Sequence, residues 1–199
     1  MSTNITPHAG NVSAADRSGI FGHHPATIWL TGLSGAGKST LAFGLEKRLT
    51  IMGYAAYALD GDNVRHGLSR DLGFSPRERR ENIRRVAEVA RMFNDAGLFV
   101  ITAFISPYRE DRDGAREIIG LERFVETYLS TPIGECERRD PKGLYRQARA
   151  GLLPEFTGVS APYEAPKSPA MALDTSELGL EECLDRLIDV LRPRFIEGR

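Results

Sequence analysis

A short apolar run that opens into a glycine-rich loop and closes on Lys-Ser-Thr constrains this chain more than any other stretch. It covers residues 26–40, ATIWLTGLSGAGKST. Gly32, Gly37, Lys38 and Ser39 fill the spacing G-x-x-x-x-G-K-[ST], and each residue type answers a demand of a bound phosphate chain. Glycines at Gly32, Gly35 and Gly37 let the backbone take positive φ and aim successive N–H groups inward as an anion nest at a helix start. The loop Gly32, Leu33, Ser34, Gly35, Ala36, Gly37, Lys38, Ser39 and Thr40 is therefore expected to cradle the phosphates of ATP. Lys38 would reach the β- and γ-phosphates, and the Ser39 hydroxyl would ligate a Mg²⁺ ion bridging them. A glycine turn that merely joins a strand to a helix is the plainer alternative. The apolar run before it, and Leu41, Ala42, Leu45, Leu49 and Met52 at helical spacing after it, favour the phosphate loop.

The remaining chain supplies a frame for that loop. At 199 residues it suits one α/β domain. A net charge of -1 argues against a general nucleic-acid or membrane surface. No apolar run approaches the roughly 18 residues of a membrane span. Cys136 and Cys183 are isolated and lack ligand spacing, which points to small apolar roles in a reducing, cytoplasmic compartment.

Residues 1–25 read as a polar, extended arm without apolar period, and His8, His23 and His24 in it as solvated loop residues. Residues 26–195 read as the domain. The last four, Ile196 to Arg199, resemble a processing-protease recognition sequence and are set apart as a scar or a native tail. Strands are expected at the start of the loop, at 54–59, 98–104, 124–129 and 170–173. Helices follow the loop and cover about 76–96, 111–119 and 180–191, the last stopped by Pro193. Between strand two and the 76–96 helix a loop is expected. Alternation of this kind predicts a five-stranded parallel sheet with helices on both faces, a three-layer fold. Residues 135–158, dense in Arg and with glycines at Gly143 and Gly151, have the make-up of a mobile lid or of a solvated helical hairpin.

Other residues narrow the chemistry. There is no guanine-reading [NT]-K-x-D. The carboxylates instead follow strand two, in Asp60-Gly61-Asp62, at the edge where open α/β sheets bind ligands. Asp62 could orient an acceptor hydroxyl and take its proton, although two aspartates around a glycine also make an ordinary turn. Arg65, Arg79 and Asn82 could offer forked donors to an anionic acceptor. Phe74 and Phe156 sit in polar loops as core plugs or as stacking surfaces, and spacing favours plugs. The residues alone reach an ATP-dependent kinase of an anionic small molecule.

Seven segments together resemble the adenylyl-sulfate kinase family: GLSGAGKST from Gly32, LDGDNVRHGL from Leu59, DLGFS from Asp71, ENIRRVAEVA from Glu81, FISPYR from Phe104, RDPKGLY from Arg139 and FTGVSAPYEAP from Phe156. The resemblance implies the P-loop kinase fold and ATP- and Mg²⁺-dependent phosphorylation of the 3′-hydroxyl of adenosine 5′-phosphosulfate. It implies that Phe74 and Phe156 sandwich the acceptor's adenine. Arg65, Arg79 and Asn82 would hold its phosphosulfate and ribose, with Ile105 and Ser106 also at the acceptor. Asp62 would be the base, and residues 139–158 a lid that carries Lys142 toward the transferred phosphate. The family's Ser106 position is described as a phosphoserine intermediate. Direct in-line transfer needs only Asp62, and no base neighbours Ser106 in sequence, so Ser106 is expected to position the acceptor. A homodimer and association with an ATP sulfurylase are further implications. Competing readings are a P-loop kinase of another anionic acceptor and an inactive nucleotide-binding module of a sulfate-activating assembly.

Overall fold

The computed structural model describes Thr6, His8 and residues 10–196. Five strands form one all-parallel sheet in the order β2-β3-β1-β4-β5: β1 Thr27–Gly32, β2 Ala56–Asp60, β3 Phe99–Ala103, β4 Phe124–Leu129 and β5 Met171–Leu173. Parallel strands need crossover connections, and helices supply them on both faces. β1 is central and wholly buried. Its side chains alternate between two cores, Ile28 and Leu30 meeting α2 (Lys38–Ile51) and the C-terminal helix, and Trp29 meeting α4 (Pro76–Asp95). That alternation explains why the run before the loop is apolar throughout rather than at every second position.

The longest helix keeps its expected start because its cap is strong. Ser75 and Glu78 form a capping box ahead of Pro76, which opens α4. α5 spans Arg109–Ile119, two residues earlier than its apolar spacing suggests.

Three departures from the sequence reading have physical causes. Residues 61–66 form a short helix, α3 (Gly61–His66), instead of a loop. Asp60 caps it, its Oδ1 accepting from the Asp62 N–H at 3.0 Å. The arm contains α1 (Ala14–Phe21), opened by a Ser13–Asp16 capping box and closed by Gly22 at φ 67°. Beyond it His23 is buried, stacked 4.6 Å from Phe99, so it is a core residue and not a solvated one. Thirdly, the final α-helix ends at Leu191 as expected, but the chain does not leave the core at Pro193. α8 (Leu180–Leu191) runs into a π-helical turn, Arg192–Ile196, that buries Phe195 and Ile196. Ile196 is thereby part of the domain's core; residues 197–199 of the suggested tail lie outside the described residues.

Candidate active site

The loop between β1 and α2 has the backbone its glycines foretell. Gly32, Gly35 and Gly37 stand at φ 153°, 77° and 90°. A Cβ on Gly35 would lie 2.7 Å from the Cys136 carbonyl oxygen, and one on Gly32 would lie 2.8 Å from that of Leu129. Side chains are thus excluded by contact as well as by φ. Lys38 folds back over the loop, donating to the carbonyls of Gly32 at 3.0 Å and Leu33 at 2.6 Å. Burial lowers its ammonium pKa to about 8, although the carboxylates of Asp60 and Asp62 pull the other way.

The loop is braced from outside. Tyr145 Oη donates to the Ser34 carbonyl at 3.0 Å, and Thr175 Oγ1 to that of Ala36 at 3.1 Å. Arg139 reaches the Gly35 carbonyl and forks onto Thr175. α6 (Ile133–Arg139) and α7 (Leu144–Arg149), which carry the expected lid, are therefore rooted on the phosphate loop itself. Thr175 carried no signal in the sequence, since its role depends on where β5 ends.

Ser39, exposed at the head of α2, donates to Asp60 Oδ2 at 2.6 Å. Thr40 beside it is also exposed. Asp60 is the residue the sequence reading undervalued. Its neighbour Asp62 drew attention as a base, yet Asp60 is the buried carboxylate tied to the phosphate loop. Two hard oxygens beside a phosphate nest suit Mg²⁺, which takes few protein ligands and keeps substrate phosphates and waters. Among the described residues there is no larger His, Cys, Asp and Glu cluster for a metal.

Asp62 is exposed on α3 and forms an ion pair with Lys142, which lies between α6 and α7. Arg65, on the same helix, donates to the carbonyls of Leu72 and Gly73 and lies 4.3 Å from the Phe74 ring centroid. Arg79 joins two segments that are far apart in sequence. It donates to the Phe74 carbonyl at 2.7 Å, to that of Glu155 at 2.9 Å and to Thr157 Oγ1 at 3.3 Å. The neighbouring Arg80 pairs instead with Glu110 and Asp111.

Phe74 and Phe156, the two aromatic candidates, behave differently. Phe156 is buried and meets Tyr145 edge-on at 5.0 Å, the plug that spacing favoured. Phe74 is 61% exposed, with an arginine over its ring, and is no plug. Asn82 is buried on α4 with its Oδ1 unpaired, a costly state that a ligand's donor would relieve. Leu33 and residues 158–163 line a groove of about 530 Å³.

Ile105 and Ser106 follow β3. Ser106 is 2% exposed and stands at φ 39°, and its Oγ accepts from the Trp29 indole N–H at 3.2 Å. Its hydroxyl is held in the core. Ser106, Asp140 and Glu155 are the non-glycine residues with positive φ among those described. All three belong to the loops around this site, where strained backbone tends to gather.

Comparison with known proteins agrees with this arrangement. Residues 24–174 match the family described as adenylylsulphate kinase. The chain is 51% identical over 191 residues to the adenylyl-sulfate kinase of Staphylococcus epidermidis, covering 96% of each chain. It is 52% identical over 196 residues to that of Geotalea uraniireducens, covering 98% of this chain and 92% of the other. Among solved structures it resembles the Mycobacterium tuberculosis APS kinase in complex with AMPPNP and APS. There the TM-score is 0.82 at 45% identity, over 85% of this chain and 98% of that one. A gluconokinase from Sinorhizobium meliloti, 17% identical with a TM-score of 0.54, shares the fold alone. The chain belongs to the adenylylsulphate kinase family, and it is a kinase with the P-loop kinase fold.

Proposed function

We propose that the chain transfers the γ-phosphoryl group of ATP to the 3′-hydroxyl of adenosine 5′-phosphosulfate, with Asp62 as the base and the arginine-built rim as the acceptor site. Near-full-length likeness to adenylyl-sulfate kinases supports the reaction, and the complex of the tuberculosis enzyme with AMPPNP and APS supports its substrates. The observation that carries the residue assignment is the Asp62–Lys142 pair facing the phosphate loop. A carboxylate and a cation meet beside Lys38, where an acceptor hydroxyl and a migrating phosphoryl group would have to meet.

In the resting site both lysines are occupied by the protein itself, Lys38 by its own loop's carbonyls and Lys142 by Asp62. Nucleotide phosphates would draw Lys38 away from those carbonyls. An entering 3′-hydroxyl would take the place of the Lys142 ammonium on Asp62, freeing that ammonium for the phosphoryl group. The 3′-oxygen then attacks γ-phosphorus as the bond to the β,γ-bridging oxygen breaks. Asp62 takes the hydroxyl proton, and ADP leaves. Mg²⁺, when bound, would neutralise phosphate charge, held by Ser39 with Asp60 behind it.

Arg65, Arg79 and Asn82 would bind the phosphosulfate and ribose, Phe74 the adenine together with Phe156 once Phe156 shifts from its buried contact with Tyr145, and Ile105 and Ser106 would shape the wall beside them. The inward Ser106 hydroxyl supports a positioning role, because a phosphoryl acceptor there would have to leave the Trp29 indole first. A homodimer, partnership with an ATP sulfurylase and a cytoplasmic location complete the reading. Among the described residues no helix is long and apolar enough to cross a membrane.

Acceptor-dependent ATP turnover across adenosine 5′-phosphosulfate, adenosine 5′-phosphate and gluconate tests the assignment. Turnover confined to adenosine 5′-phosphosulfate is expected. Preference for either other acceptor would overturn it.

A further inference from the structure

One buried guanidinium outside the residues so far assigned holds the acceptor-side wall in shape. Arg112, on α5, is 2% exposed. Its Nε donates to Glu126 Oε1 at 2.8 Å, its Nη1 to the Ser106 carbonyl at 2.7 Å and its Nη2 to the Glu164 carbonyl at 2.7 Å. Glu126, buried on β4, is held on its other oxygen by Arg116 at 2.8 Å. The carboxylate fixes the guanidinium, and the guanidinium fixes two loops.

Those loops are 105–108 and 162–165, and they are also bonded to each other directly. Glu164 N–H donates to the Pro107 carbonyl, Glu164 Oε2 accepts from the Arg109 N–H, and Arg109 Nε donates to the Ala165 carbonyl. Thr31 Oγ1 donates to the Ile105 carbonyl at 2.7 Å, which leaves the Tyr163 hydroxyl to donate to Thr31 at 2.9 Å. Ser106 sits at the centre of this arrangement in its left-handed conformation, which a serine keeps only when its surroundings over-determine it.

A buried ion pair contributes little to stability compared with well-packed apolar side chains of the same volume, so stability alone does not account for this one. A planar fork that grips two carbonyls at fixed angles is, however, something neither lysine nor an apolar residue can supply. We propose that Arg112, anchored by Glu126, is a positioning residue for the acceptor, locking loops 105–108 and 162–165 into the one relative placement that fits adenosine 5′-phosphosulfate. This rests on the acceptor-site reading given above. The three hydrogen bonds of Arg112 go to Glu126, Ser106 and Glu164, and none to the phosphate loop where ATP is placed.

The test is steady-state kinetics of Arg112→Lys with each substrate varied in turn. The expected result is a KM for adenosine 5′-phosphosulfate raised about tenfold or more, the order expected for lost charge-assisted hydrogen bonds, with the KM for ATP within about twofold of wild type. Should that variant fail to fold, Thr31→Val removes the hydroxyl that joins the Ile105 carbonyl to Tyr163 and leaves the buried charges paired. The same selective rise is expected of it. Both KM values moving together, or an unchanged acceptor KM in a folded variant, would overturn the proposal. Wild-type protein that turns over no adenosine 5′-phosphosulfate would instead remove the acceptor reading on which it rests.

Discussion

The donor and acceptor halves of this site are built by different means. The donor half is backbone. Gly32, Gly35 and Gly37 set the loop's path, and the carbonyls of Cys136 and Leu129 close it from behind. The half proposed to hold the acceptor is made of long side chains reaching across the fold: Arg79 from α4 to Glu155 and Thr157, Arg112 from α5 to Ser106 and Glu164, Lys142 to Asp62. A phosphate nest needs consecutive amides and so is written in consecutive residues. A pocket for a large, asymmetric anion needs donors from many directions, and only the folded chain brings them together.

Breaking the donor half should do the most damage. Lys38→Met is expected to lower kcat by about 10³-fold, the scale of losing a preorganised cation at developing charge, in a radiolabelled-ATP turnover assay. A loss below about tenfold would show that the loop amides suffice.

Asp62→Ala comes next. Turnover should fall by at least about 100-fold on the magnitude of a general base, while binding of an unhydrolysable ATP analogue stays intact by calorimetry. Near-normal turnover would take Asp62 out of the mechanism. Loss of analogue binding would mean that the two halves are not separate.

Arg79→Lys sharpens the contrast at smaller amplitude. Lysine cannot span Phe74, Glu155 and Thr157 together, so the acceptor KM should rise about tenfold with the ATP KM unmoved. An equal rise in both would contradict the division.

The smallest effect is a pH dependence confined to the donor half. Lys38 in the resting site has a pKa lowered to about 8 by burial. Nearby phosphates would raise it, so ATP binding should take up a proton above about pH 8 and weaken with rising pH, by at most about tenfold per unit. Calorimetry at pH 9 in two buffers of different ionisation enthalpy reads this directly, and identical heats would contradict it. The same depressed pKa means that the unfolded chain binds more protons here. Stability of the ligand-free protein should accordingly rise with pH from about 8 toward the free-lysine value.

The same contrast governs how much the sequence disclosed. The sheet, the phosphate loop and the long helices follow from local apolar period and from capping residues such as Ser75 and Glu78. α3 was hidden because two aspartates around a glycine read first as a turn, and its capping bond is visible only in three dimensions. His23 and Ile196 looked like solvent-exposed ends because their partners, Phe99 and the apolar core beneath α8, lie far along the chain. In the site, Lys38 and Ser39 were legible from spacing. Arg65, Arg79 and Asn82 were legible as donors for an anion and Asp60 as a carboxylate at the ligand edge, the stacking role proposed for Phe74 came only through family resemblance, and Thr175 and Arg112 had no local signature at all. The contacts that matter for them, Ser39–Asp60, Arg139–Thr175 and Arg112–Ser106, span 21, 36 and 6 residues and depend on where strands end.

The most direct test of the whole account is to incubate the wild-type protein with ATP, Mg²⁺ and adenosine 5′-phosphosulfate and locate the new phosphate on the product by mass spectrometry and 3′-nucleotidase digestion. The account predicts a single added phosphoryl group on the 3′-oxygen, removed by the nucleotidase. A phosphate elsewhere on the acceptor, or ATP turnover with no phosphorylated acceptor, would contradict it.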